Sequence, residues 1–155
     1  MRYSLTPKSY GVERMGNMAI SSFNAKLMKG AGSGDSVTWT QLLPVKTTPQ
    51  IGGAPEQLET TTLDDSMQTY INGIQSSETM EFTANYDSTQ YDTLKALEGK
   101  TTPYAVWFGN DGDGSEGKYK FEGQLSVYIN ETEVNGVVEM TISITPGTPI
   151  TKDNA

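Results

Sequence analysis

The chain has 155 residues and a formal net charge of −8, with neither cysteine nor histidine. Disulfides, thiolate metal sites, cysteine nucleophiles, a Ser-His-Asp triad and imidazole bases or ligands are thereby excluded, leaving an enzyme only carboxylates, lysine and tyrosine. The length suits one domain, able to bury roughly 70% of its unfolded surface. No apolar run approaches the ~18 residues of a membrane span. The stretch MRYSLTPKSYGVERM has no apolar region of the kind a secretory signal needs.

Sixteen glycines and many Thr and Ser residues favour strands and turns over a helical bundle. Residues 1–36 are weakly patterned and are assigned as an N-terminal arm or strand. Within them, 18–28 reads as a strand with Ala19, Ser21, Phe23, Ala25 and Leu27 on one face. Gly30-Ala31-Gly32-Ser33-Gly34-Asp35 reads as a flexible loop. Residues 37–45 form a strand that ends or bulges at Pro44.

A long excursion follows over 47–77, expected to be partly irregular, with a short turn of helix after Asp64-Asp65. It opens on a hinge, Ile51-Gly52-Gly53-Ala54-Pro55, and runs through a Thr-rich acidic patch, Glu59-Thr60-Thr61-Thr62-Leu63-Asp64-Asp65. Long loops are uncommon in compact domains and usually functional. This one carries Leu58, Leu63, Met67, Tyr70, Ile71 and Ile74, which a compact monomer would cover. It therefore reads as a surface for another protein. Its contact candidates are Ile51, Gly52, Gly53, Pro55, Leu58, Leu63, Met67, Tyr70, Ile71 and Ile74.

Residues 79–86 alternate, with Met80, Phe82, Ala84 and Tyr86 on one face. Asp87 or Ser88 caps a helix over 88–97 that places Tyr91, Leu94 and Leu97 on one side, and Gly99 terminates it. Tyr104-Ala105-Val106-Trp107-Phe108 reads as a buried strand, with Trp107 in the core, and 109–114 as a turn. Residues 118–129 alternate through Tyr119, Phe121, Gly123, Leu125, Val127 and Ile129. Residues 137–144 do so through Val138, Met140, Ile142 and Ile144. Asn135-Gly136 signals a tight type I′ turn. Residues 145–155, with two prolines, read as an extended C-terminal arm or a frayed end. The result is a mainly β fold: an antiparallel β-sandwich or barrel with one flanking α-helix and a long inter-subunit loop.

No motif calls for chemistry. Asp111-Gly112-Asp113-Gly114-Ser115 resembles the start of a calcium loop, with Glu122 at the twelfth position, but Glu116 stands where the sixth-position glycine is needed. The same glycines lack the Gly-Lys-Ser/Thr of a phosphate loop. Asp64-Asp65 and the Glu131/Glu133 pair read as solvated faces, so no catalytic, metal or cofactor residue is assigned. Asn130-Glu131-Thr132 matches a glycosylation acceptor only formally. Trp39, near tyrosines, could instead form a carbohydrate or nucleobase platform. Charge is also uneven. Residues 1–50 hold six Lys/Arg against two acids, and residues 51–155 hold five lysines against 17 acids. That polarity disfavours capture of nucleic acid by the larger part. It suits a subunit whose basic portion meets a neighbour's acidic portion, or else serves solubility alone.

The order Trp39, Leu43-Pro44-Val45, Pro49-Gln50-Ile51-Gly52-Gly53-Ala54-Pro55-Glu56, Glu59 to Asp65, Tyr70-Ile71-Asn72-Gly73-Ile74 and Met80 to Asp87 resembles the major tail tube proteins of long non-contractile-tailed bacteriophages. So do the helix with Tyr91 and Leu94-Lys95-Ala96-Leu97, the YAVWF strand and the closing segment from Val134 to Pro149. The resemblance covers about 37–150 and is most specific over 51–87. It implies hexameric rings whose sheets join into an inner β-barrel and which stack into a tube in the virion. It further implies that the 47–77 loop and terminal arms bridge subunits and rings. The tube would assemble around a tape measure protein, meet tail-terminator proteins, and conduct DNA to the host without binding it specifically. The subunits would be made in the host cytoplasm, with no membrane involved. The alternatives are an inner-tube or ring protein of a contractile injection system, and a monomeric ligand-binding β-domain using Trp39; an enzyme comes last.

Overall fold

The computed structural model describes residues 19–32, 34 and 36–153. Along the chain lie β1 (Lys26–Ala31), β2 (Thr38–Leu43), β3 (Pro55–Glu59), β4 (Tyr70–Gln75), β5 (Met80–Asn85), α1 (Ser88–Leu97), β6 (Thr101–Phe108), β7 (Gly117–Ile129), β8 (Glu139–Pro146) and β9 (Thr151–Asp153). The main sheet is antiparallel in the order β2-β1-β6-β7-β8-β5, and β3 with β4 makes a separate two-stranded sheet.

Strand β7 organises the sheet. Residues 117–124 pair with β6, residues 123–129 with β8, and residues 118–120 with β9. At the far end β2 breaks before Pro44, which has no N–H to donate. The chain then turns in to close the sheet on β5: the Lys46 amide donates to the Thr83 carbonyl at 2.7 Å and Thr47 bridges Thr83. Lys46 also forms an ion pair with Glu139 of β8 across this seam. The sheet is thus curled almost into a barrel, which reduces the exposed edges.

Strand alternation fills its interior. Met80, Phe82 and Ala84 of β5, Tyr104 and Val106 of β6, Phe121, Leu125 and Val127 of β7, and Met140, Ile142 and Ile144 of β8 are buried together with Leu27, Leu43 and Leu94. Tyr86, Ile129 and Val138 continue the same alternating faces but are exposed. Register explains why. Asn85 pairs with Glu139, so Tyr86 and Val138 stand at the rim past Ala84 and Met140, while Ile129 ends β7 level with Met140 at that same rim.

Asp87 caps α1 in extended backbone (φ −137°), its Oδ1 accepting the Gln90 amide at 2.9 Å, and Gly99 (φ 76°) ends the helix in the left-handed region. Leu94 seats the helix in the core. Glu98, its C-cap, accepts the Val127 amide at 2.9 Å, where β7 has outrun the end of β6. That amide, followed by the Lys95 ammonium, holds the Glu98 carboxyl below its usual range.

Several expectations are corrected. The strand expected over 18–28 begins only at Lys26 and continues to Ala31, so Gly30 and Ala31 are strand rather than loop. Residues 1–18, half of the assigned N-terminal arm, lie outside the described residues. Residues 145–153 are not a free arm, because β9 returns to β7 with Lys118 opposite Asp153. Asn135-Gly136 does not form a type I′ turn, which needs positive φ at both central residues. Only Asn135 (φ 63°) has it, and the Gly136 amide closes on the Glu133 carbonyl at 3.0 Å within a longer connection. Trp107 is half-buried on the outer face, since Tyr104 and Val106 take the inward positions.

Candidate assembly surface

The 47–77 excursion is partly irregular, as expected, but it carries an antiparallel hairpin of β3 and β4, and no helical turn follows Asp64-Asp65. In its register Leu58 faces Ile71 and Glu59 faces Tyr70. One face therefore carries Leu58 and Ile71 and the other Tyr70, while a bulge opposite Pro55 and Gln57 interrupts the alternation before Ile74. Both faces are left open by their own chain: Leu58, Tyr70 and Ile71 are about half exposed, and Ile74 is 90% exposed. Close packing within the hairpin is local. A Cβ on Gly73 would come within 3.3 Å of Leu58 carbons and 3.0 Å of the Glu56 carbonyl, so Leu58 lies across the glycine.

Threonines organise the tip. The Thr60 amide donates to the Thr69 carbonyl at 2.9 Å and the Thr69 amide to Thr61 Oγ1 at 3.1 Å. Asp65 Oδ2 accepts the Thr62 amide at 2.7 Å and the Thr62 hydroxyl at 3.0 Å. The Thr62 amide, then its hydroxyl, holds the Asp65 carboxyl below the usual carboxylate range. Beyond this clasp Leu63 and Met67 are 105% and 75% exposed. The tip thus presents two large apolar side chains to its surroundings.

The remaining candidates sit at the base. Ile51 packs against the core and Gly52 (φ 79°) turns the chain outward. The Gly53 carbonyl accepts Gln75 Nε2 at 2.6 Å, and Pro55 opens β3 opposite Gln75. The structure thus divides the ten residues into a hinge (Ile51, Gly52, Gly53, Pro55) and a projecting apolar arm (Leu58, Leu63, Met67, Tyr70, Ile71, Ile74). The arm holds Glu56, Glu59, Asp64 and Asp65, and no Lys or Arg lies between Lys46 and Lys95.

Sequence reasoning missed a second surface. On the outer face of β2, β1, β6 and β7 a groove of about 840 Å³ is lined by Val37, Trp39, Pro103, Trp107, Lys118 and Lys120 among others. It dips because Gly30 has no side chain: a Cβ there would lie 2.5 Å from Val37 and 3.0 Å from Pro103 and Trp39. Lys118 Nζ stands 4.4 Å over the Trp107 ring, and Lys26 pairs across from Trp107 on the other side. Alternation through Tyr104 and Val106 was the available signal that Trp107 points out. In the 109–114 turn, Asp111 Oδ1 accepts the Asp113 amide at 3.0 Å, so that carboxylate holds the turn.

The chain folds as a nearly closed antiparallel barrel with one capped helix and a separate hairpin. Solved structures share this fold, three among them from injection and tail systems. They are the sheath/tube terminator of an extracellular contractile injection system, PVC, in its extended state (TM-score 0.65, 9% identity, 87% of this chain and 96% of that one); the tail of an empty GTA particle with C6 symmetry (0.62, 10%, 84% and 96%); and the sheath–tube complex of the PVC system, also extended (0.64, 11%, 98% and 100%). At these identities the likeness is one of fold. No curated protein matches by sequence. Residues 22–152 match the phage tail tube protein (TTP) family, and the chain belongs to it. The family is a structural one, and its place is the virion tail.

Proposed function

We propose that this chain is the repeating subunit of a phage tail tube, six to a ring, with rings stacked along the tail axis and the β3–β4 hairpin bridging one subunit to the next. The observation that carries the reading is the hairpin. It is rigidly clasped, apolar on both faces and unpaired with any strand of the main sheet. A head-to-tail contact of this kind closes into rings or propagates into filaments. The C6 symmetry of the structurally similar GTA tail supports a ring of six. The subunits assemble in the host cytoplasm around a tape measure protein and end at terminator proteins. The surplus of 17 acids over five lysines in 51–155 suits a lumen through which DNA slides, because phosphates release no counterions against carboxylates.

Removing residues 53–74 tests the hairpin's role. The deletion joins Gly52 to Gln75 at the base of the hairpin, where the two ends lie close because Pro55 pairs with Gln75, so the barrel should keep its cooperative unfolding transition. In sedimentation velocity the full chain should form large species and the deletion variant none. A variant that sediments like the full chain would overturn the reading of the hairpin.

A further inference from the structure

Resting on the tube reading, we infer that the groove around Trp39 and Trp107 is the receptor for the β3–β4 hairpin of a second copy. The hairpin offers Leu63 and Met67 at its tip and four acids with no base. The groove offers what that surface lacks. Val37, Trp39 and Pro103 form its apolar end, and Lys118 and Lys120 line its cationic end around Trp107, with Lys26 alongside in register. Asp153 lies in the same lining and pairs with Lys120 at 3.8 Å, so Lys118, with Lys26 beside it, is the cation that faces the hairpin's acids most directly; Glu122 stands toward the apolar end, opposite Pro103.

A competing receptor exists. Val134, Val137 and Val138 are exposed between β7 and β8, but that segment carries Glu131 and Glu133, which would meet the hairpin's acids as like charges. Trp side chains in a concave site, flanked by opposite charge, are also the kind of anchor on which interface energy concentrates. Because hairpin and groove are different patches of one chain, each copy can give its hairpin and receive another, so the contact propagates.

The chain has no cysteine, so paired substitutions report this contact cleanly. Met67→Cys with Thr151→Cys, oxidised in assembled tubes, should give a ladder of covalent oligomers longer than dimers. Met67→Cys with Val134→Cys should give none. Separately, Lys118→Glu with Lys120→Glu should cut the elongated fraction by about tenfold or more. Adding Glu59→Lys with Asp64→Lys in the same chain should restore it. Tubes that form without the Thr151 ladder, or that cross-link only through Val134, would overturn the groove while leaving the tube reading intact. A charge reversal without effect on elongation, or without rescue by the second pair, would overturn it too. An unsubstituted chain that never forms tubes or rings would overturn the tube reading and this inference with it.

Discussion

Asp65 shows how one carboxylate sets the form of the tip. Its Oδ2 takes two hydrogen bonds from Thr62, and its pKa is lowered from 3.8. A folded-state pKa below the unfolded value contributes stability that is present above the unfolded pKa and lost as pH falls through the folded one. Protection of the Thr62 amide, its exchange rate relative to a free amide at the same pH, should therefore be greatest at neutral pH and fall as the pH drops through the folded pKa, below 3.8. Asp65→Asn should lower that protection at neutral pH, and protection insensitive to both would show that the clasp does not order the tip. Gly123 is a second decisive position. A Cβ there would lie 2.5 Å from the Thr145 carbonyl oxygen and 3.2 Å from Ile144. Gly123→Ala should destabilise the domain by about 1–3 kcal/mol in urea unfolding, since backbone must move to admit it.

At the scale of elements, α1 and the strands around it were legible because each buries one face. Asp87, Leu94 and Gly99 mark a helix whose observed span, Ser88–Leu97, is the one expected. Met80, Phe82 and Ala84 alternate because β5 lies over the core. Asp87→Ala should cost about 1 kcal/mol, read as a lower urea midpoint at unchanged slope. The two strands inside the 47–77 excursion were missed for the opposite reason. β3 and β4 bury neither face against the core, so Leu58, Tyr70, Ile71 and Ile74 follow no polar-out, apolar-in rhythm. Its apolar residues nevertheless gave it away as a surface. Trp107 was misplaced because a run of five apolar residues looks alike whether one face or both are covered. The groove depends on which strands become neighbours, with Gly30 beside Trp39 and Trp107 beside Lys118, and no local pattern encodes that.

The whole molecule is a domain with a packed interior and an exposed apolar hairpin. The Lys46–Thr83 contact closes the seam of its curled sheet and Leu94 packs into the core. Its hairpin, by contrast, holds exposed apolar groups on an ordered frame, which is costly in a monomer and useful in a polymer. Family membership gives that polymer its identity, a phage tail tube. Imaging the purified full chain by cryo-electron microscopy tests the account most directly. It predicts tubes of uniform diameter built from stacked six-subunit rings, with the hairpin density of each subunit lying on a neighbour. A particle that stays monomeric at high concentration would contradict it.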